Sequence, residues 1–275
     1  FCALRDEYNS PDFSRWEGYS KFDEKLLTKR MKNDSKFAEA VAFYEFIQFH
    51  ADAQLKEVKA YGRSKQVVLK GDLPIGIYRY SSDAWVNPEL YNMDEQAGAP
   101  PDAYALLGQN WGFPTYNWTA MSKNNFLWWR QRLQKLEEFF DALRIDHILG
   151  FFRIWQIPLN QVQGTMGSFN PRIPMTRDKL MHYGLYGDLS EFTTPHLHEA
   201  DLSEIFGPFL DFVIEHFLDA HKGKFYTLKE VFPDQISIQK YILESDNSTM
   251  KKNADKILSL RGEVLLIEEP DSNGK

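Results

Sequence analysis

Asn124-Asn125-Phe126-Leu127-Trp128-Trp129-Arg130 runs on through Gln131-Arg132-Leu133-Gln134-Lys135-Leu136-Glu137-Glu138-Phe139-Phe140 into Asp141-Ala142-Leu143-Arg144-Ile145-Asp146-His147, and this stretch decides the fold class. Asn124 or Asn125 can cap a helix whose apolar face is Phe126, Trp129, Leu133, Leu136, Phe140 and Leu143. That helix leads into Arg144-Ile145-Asp146-His147-Ile148, which reads as a strand ending in charged residues. Working outward, the same step occurs earlier. Phe37, Val41, Tyr44 and Ile47, continued by Ala51 and Leu55, mark a helix over about 36–61 that Gly62 stops. Val67-Val68-Leu69 then reads as a short buried strand ending at Lys70-Gly71-Asp72. Two helix-to-strand steps predict an α/β fold with a parallel sheet. Barrels and doubly wound sheets both place their chemistry at the carboxyl ends of the strands, so the periodicity leaves the two open.

The other segments are less regular. Residues 1–34 read as short helices and loops around Trp16 and Tyr19. Residues 73–118 form a long, aromatic, turn-rich connection of the kind that builds sites. Residues 159–190 read as loop. Leu202 to His221 predicts a helix with Ile205, Phe209, Phe212, Val213 and Phe217 inward. Asp234 to Leu260 reads as helical and more polar, and Val264-Leu265-Leu266-Ile267 as a strand or short buried run. No internal repeat or low-complexity segment is visible.

Composition narrows the function. At 275 residues and 43% hydrophobic, the chain can bury a core. Its net charge of −7 carries no basic stripe, which argues against nucleic acid or an anionic membrane as partner. The single Cys2 excludes an internal disulfide framework and fits a reducing, cytoplasmic setting. Neither a signal-peptide pattern nor an apolar run of membrane-spanning length is present. Three glycosylation sequons occur, of which Asn117-Trp118-Thr119 sits in an aromatic motif suited to packing. Aromatic residues make up 15% of the chain. Most of them are expected in the core, and only those beside polar motif residues point to sugar rings.

Alternation on a strand turns Arg144 and Asp146 to one side while Ile145 packs into the wall. A guanidinium beside a carboxylate favours its charged form, as a nucleophile requires. The bland alternative is a structural ion pair. Gly71-Asp72-Leu73-Pro74-Ile75 sets a second carboxylate at a strand end. Further on, Asp102 and Gln109 supply hydroxyl-binding groups next to the flat ring of Trp111, the mixture a carbohydrate site needs; a packed loop with capped turns has the same composition.

Six motifs then coincide in order and spacing: Gly71-Asp72-Leu73-Pro74-Ile75-Gly76, Ser82-Asp83-Ala84-Trp85, Gly98-Ala99-Pro100-Pro101-Asp102, Gly108-Gln109-Asn110-Trp111-Gly112, Trp128-Trp129-Arg130 and Arg144-Ile145-Asp146-His147. Together they resemble glycoside hydrolase family 77, the amylomaltases or disproportionating enzymes. The likeness runs over roughly residues 36–175, including Gly150-Phe151-Phe152-Arg153-Ile154-Trp155-Gln156-Ile157-Pro158. Beyond Pro158, Gly164-Thr165-Met166-Gly167-Ser168-Phe169 is similar to the longer subgroup typified by the plant cytosolic enzyme. The resemblance implies a (β/α)₈ barrel, here a partial one over 1–175, with residues 176–275 forming a mostly helical insertion. It implies a 4-α-glucanotransferase acting on maltooligosaccharides, starch or glycogen through a retaining glucosyl-enzyme. Asp146 matches the nucleophile, Arg144 its supporting cation, and His147 a hydroxyl-binding histidine. Asp72, Asp102, Gln109 and Trp111 match residues lining donor subsites. No metal or organic cofactor is implied.

Two departures qualify this expectation. Retaining chemistry needs a second carboxyl about 5–5.5 Å from the nucleophile. The family supplies it as the Glu of a Glu-Asp-Leu-Gly motif, which is absent here, as is the transition-state-stabilising Asp of a later strand. Glu268 and Glu269 stand at a strand-like end, but nothing around them matches that motif, and they are read as decoys. Both chain ends read as cuts, so half a barrel with open sheet edges and uncovered apolar helix faces is expected, inactive by itself. An α-glucan hydrolase and a non-catalytic glucan-binding fragment are the alternatives.

Overall fold

The structure, a computed structural model, describes residues 1–267. They fall into two units, Phe1–Ala97 with Gly112–Arg153, and Gly98–Trp111 with the chain from Ile154 onward.

In the first unit, aspartates start the helices. Asp23 accepts from the Leu26 amide ahead of the Glu24–Asn33 helix, and Asp34 accepts from the Phe37 amide ahead of the Ser35–Ser64 helix. Each removes one orphan donor of the first turn. The start of the long helix packs on an aromatic core of Leu4, Trp16, Phe37 and Trp85, with Val41 and Tyr44 half-buried against it. The predicted apolar stripe does not stay covered. Ile47, Ala51 and Leu55 are exposed, as are Phe43, Phe46, Phe49, Val58 and Tyr61. Helical period locates such a stripe but does not say which turns find a neighbour.

The strand after this helix lies later than the apolar run suggests. Val67 and Val68 are exposed, because the Val67 amide bonds back to the Gly62 carbonyl and Gln66 turns the chain at φ 60°. The strand is Lys70–Leu73, and it pairs in parallel with Ala142–Ile145. Between them comes the Leu127–Phe139 helix, whose first amide donates to Asn124 Oδ1 at 3.1 Å, as the sequence predicts. Both helix-to-strand steps and the parallel pairing are therefore present. Lys59, buried on the long helix, donates from Nζ to the carbonyls of Glu137 and Phe140. It thereby satisfies the end of the second helix and fixes the point where the second strand begins.

In the second unit, Gly98–Ala99 pairs antiparallel with Gln109–Asn110, and Ile154–Pro158 pairs antiparallel with Ser168–Asn170. A three-stranded antiparallel sheet joins Leu218–Ala220, Phe225–Leu228 and Leu197–His198. Around them pack Glu199–Phe206, Leu210–Phe217, Gln235–Glu244, Ser248–Lys252 and Ala254–Ser259, over a core containing Leu202, Phe206, Val213, Phe217, Ile238 and Ile257.

Three expectations change here. The helix predicted over 202–221 is broken at Gly207-Pro208, where Gly207 takes φ 52°, and it gives way to a strand at Leu218. A proline lacks the amide a continuous helix would need. Residues 159–190 contain a strand and the Arg177–His182 helix instead of loop alone. Residues 264–267 form no strand: the Leu265 and Leu266 amides both bond to the Phe192 carbonyl, which leaves no ladder to build.

Candidate active site

The first unit places its candidate residues at the carboxyl end of the parallel pair. Along Lys70–Leu73, Gly71 and Leu73 are buried and Asp72 is exposed. Gly71 must be bare, because a Cβ there would lie 2.5 Å from Cδ2 of Phe140. With that side filled, Asp72 stands on the open side, directly across from Arg144 in the register. Arg144 Nη2 donates to Asp72 Oδ2 at 2.5 Å, and both side chains remain more than half exposed.

The guanidinium thus sits on Asp72 and not on Asp146. Strand geometry gives the reason. In-register neighbours on adjacent strands are about 4.8 Å apart, whereas residues two apart on one strand are separated by about 6.6 Å. Ile145, expected in the wall, is 48% exposed.

Asp146 follows the strand, exposed, with its amide donating to the Leu73 carbonyl at 3.1 Å. That bond extends the ladder by one step and fixes the Asp146 backbone. His147 then turns the chain at φ 52° into the short Ile148–Phe151 helix. A Cβ on Gly150 would lie 2.8 Å from both His147 Cδ2 and Ile75 Cγ1, so this glycine lets the imidazole settle against the backbone. Asp72, Arg144, Asp146 and His147 therefore share one strand-end region.

Behind them lies an aromatic block. Trp118 stacks on Trp129 at 6.2 Å, Phe151 lies 5.1 Å from Trp129, and the Arg132 guanidinium sits 5.1 Å over Trp128 and Trp129. Trp128 Nε1 donates to Asp83 at 2.9 Å, and Trp85 Nε1 to the Tyr19 carbonyl. The Trp128-Trp129-Arg130 and Ser82-Asp83-Ala84-Trp85 motifs are thus packing elements. Burial pushes the Tyr116 phenol up to about 12, opposed by the neighbouring Arg132, and raises that of Tyr91 as well. Arg79, buried, donates to the carbonyls of Met93, Glu95 and Gly112, and burial lowers its pKa. Neither Arg79 nor Lys59 announces its role in the sequence.

The second unit holds Asp102, Gln109 and Trp111. Asp102 Oδ1 accepts the amides of Tyr104 and Ala105 at 2.8 and 2.7 Å, a turn that shapes the loop. Trp111 Nε1 donates to Gln109 Oε1 at 3.0 Å, which sets an indole edge against an exposed amide. Gly98 and Ala99 pair with Asn110 and Gln109. Beneath them two glycines meet: a Cβ on Gly108 would be 2.9 Å from the Gly164 Cα, and one on Gly164 2.5 Å from the Gln109 amide. Asn110 Nδ2 donates to the Val162 carbonyl at 3.0 Å, and Trp155 Nε1 to that of Gly164 at 2.7 Å. Glu268 and Glu269 lie outside the described residues. Among the described residues no cluster of three or more His, Cys, Asp or Glu side chains could hold a metal, and no helix is long and apolar enough to cross a membrane.

The first unit offers a strand-end carboxylate beside an ion pair, and the second an indole–amide pair on a loop, each a kind of group that can meet a sugar. Comparison with known proteins decides the family: the model described as 4-alpha-glucanotransferase, glycoside hydrolase family 77, matches residues 1–263. The chain belongs to this family. Membership reaches well past the motif-bearing residues 36–175 and includes most of the helical second unit. The 4-alpha-glucanotransferase DPE2 of Oryza sativa subsp. japonica is 40% identical across 100% of this chain and 30% of its own. A 4-alpha-glucanotransferase of Chlamydia pneumoniae is 44% identical over 56% of this chain and 25% of its own. The chain thus spans about a third or less of the length of these curated relatives. Among solved structures, the amylomaltase from Streptococcus agalactiae in complex with acarbose aligns with 94% of this chain and 59% of its own, at TM-score 0.56 and 22% identity. That likeness concerns the fold, and it agrees with the α/β class read from the sequence.

Proposed function

We propose that the chain is part of a 4-α-glucanotransferase that moves glucosyl or α-1,4-glucan units between maltooligosaccharides or glucans by retaining double displacement. The observation that carries this reading is Asp146 at the carboxyl end of a parallel strand pair, two residues past the Arg144 of the Asp72–Arg144 ion pair, in a chain that matches the family over nearly its whole length. Asp146 attacks the anomeric carbon as the glycosidic bond breaks and the acid/base carboxyl protonates the departing glucan oxygen; the glucosyl ester is then cleaved by an acceptor hydroxyl that gives its proton to the same carboxyl. Arg144 anchors Asp72 and supplies the supporting positive charge two residues before Asp146. His147 and Asp72 bind sugar hydroxyls. In the second unit Gln109 and Trp111 offer a hydrogen-bonding amide and an apolar platform, and Asp102 shapes the loop that bears them.

Residues 1–175 then form part of a (β/α)₈ barrel and residues 176–275 a helical insertion of the longer subgroup. The acid/base carboxyl is the Glu of a Glu-Asp-Leu-Gly motif, which these 275 residues lack, so transfer is a property of the longer protein. A cytoplasmic setting agrees with the lone Cys2. The test is the longer protein carrying Asp146→Asn, incubated with maltotriose. Loss of the transfer ladder by at least a thousandfold is expected. A normal ladder refutes the assignment, and free glucose without longer products from the unaltered protein identifies a hydrolase instead.

A further inference from the structure

Gln235 is a fully buried glutamine whose side chain has every one of its hydrogen bonds accounted for. Its Oε1 accepts the amides of both Val162 and Gln163 at 2.9 Å, and its Nε2 donates to Gln163 Oε1 at 3.0 Å and to the Leu258 carbonyl at 2.9 Å. Gln163, itself buried, donates to the Asp255 carbonyl at 2.9 Å and accepts from Ser259 Oγ at 3.2 Å. Residues 162–163 are therefore fastened to two helices, Gln235–Glu244 and Ala254–Ser259. The far side of the same short segment touches the Gln109 loop. Val162 gives its carbonyl to Asn110 Nδ2, Gly164 abuts Gly108 and Gln109 backbone to backbone, and the Thr165 amide bonds to the Leu107 carbonyl at 3.0 Å.

We propose that Gln235 is a positioning residue for the sugar-binding loop, setting the place of Gln109 and Trp111 through residues 162–164. This rests on the reading of Gln109 and Trp111 as sugar-binding groups. Two features make the linkage stiff. The contact at Gly108 and Gly164 has no side chain between the backbones to absorb a shift. Removing the Gln235 amide also leaves the Val162 and Gln163 amides without partners and takes one of two donors from the buried Gln163 Oε1, a loss the segment relieves only by moving. A group that merely filled the core would lower the folded fraction without touching substrate affinity.

The experiment uses the longer protein, with Gln235→Met compared against Ile238→Ala, a cavity in the same helix that removes no hydrogen bond to residue 162 or 163. Two readouts are taken. The first is amide hydrogen exchange across residues 107–111 without substrate. The second is the split between KM and kcat for maltotriose disproportionation by the folded fraction. Gln235→Met is expected to speed exchange at 107–111 and raise KM about tenfold with kcat within about twofold, because the loop binds ground state and transition state alike. Ile238→Ala is expected to change neither. Unchanged exchange in Gln235→Met, an equal change in Ile238→Ala, or a fall in kcat at constant KM overturns the proposal. Should Gln235→Met fail to fold, Gln235→Glu keeps the acceptor but loses the amide donor, and wild-type exchange at 107–111 in that variant overturns it too. If the unaltered protein transfers no glucan, the functional reading fails by itself, while the exchange data still decide the coupling.

Discussion

Replacing Gly98 by alanine should be among the most damaging single-methyl additions in the second unit. The new Cβ would stand 2.0 Å from the Gln109 carbonyl oxygen and 2.8 Å from Ile157 Cδ1. The first distance is about 1.4 Å short of ordinary contact, and the atom it meets is backbone, which no rotamer change removes. The pairing of Gly98–Ala99 with Gln109–Asn110 must therefore open. Two lost ladder bonds at about 1 kcal/mol each, with overpacking of about 1–3 kcal/mol, set an upper range near 3–5 kcal/mol. Local opening of the loop relieves part of this, so a loss of about 2–4 kcal/mol in stability is expected, with Tm lower by roughly 5–10 °C. Gly112→Ala is the control. A Cβ there meets nothing within 4 Å, and only its φ of +75° is costly, by about 1 kcal/mol. Denaturant unfolding of both variants, alongside KM for maltotriose, reads the contrast. Gly98→Ala within 0.5 kcal/mol (roughly the surface-substitution range) of the unaltered protein would refute the steric argument.

Further expectations concern the first unit. Arg144→Met removes an ion pair with both partners more than half exposed, so stability should move by less than about 1 kcal/mol while transfer falls at least a hundredfold; parallel melting and rate measurements separate the two. Lys59→Met leaves the Glu137 and Phe140 carbonyls without their buried donor and should cost about 1–3 kcal/mol, seen as a lower denaturant midpoint at unchanged slope. Tyr116 titrates near 12 when folded against about 10 unfolded, so from pH 10 upward the unfolded chain releases the proton first and stability falls as pH rises. Tyr116→Phe should show a shallower fall between about pH 10 and 12, and an unchanged slope would contradict the burial argument.

How much the sequence discloses depends on which force fixes each element. The Leu127–Phe139 helix and the strand after it are legible because a cap, an apolar face and a run of aliphatic residues agree. The first strand is displaced because Val67 and Val68 carry the strand-like composition, while pairing is set by Asp141, whose Oδ2 takes the Leu69 amide at 3.1 Å just ahead of the ladder. The small sheet of Leu197–His198, Leu218–Ala220 and Phe225–Leu228 has strands too short to show alternation. At the site, the family motifs point to Asp72, Arg144, Asp146 and His147, and the structure brings these four to one strand end. Arg144 bonding Asp72 could not be read from a one-dimensional pattern, since the partner lies 72 residues away. Gln235 stays hidden for the same reason: its role comes from long-range backbone contacts that leave no local trace.

The face-to-face meeting of Gly108 and Gly164 bears on how these proteins can be recombined. Neither position can gain a methyl group unless the opposite chain retreats, so the two segments behave as a single inheritable part. A chimaera that takes residues 98–111 from one homologue and 159–167 from another risks a collision in the floor of the loop. Exchanging both segments together keeps the floor intact and moves the indole–amide pair as a module.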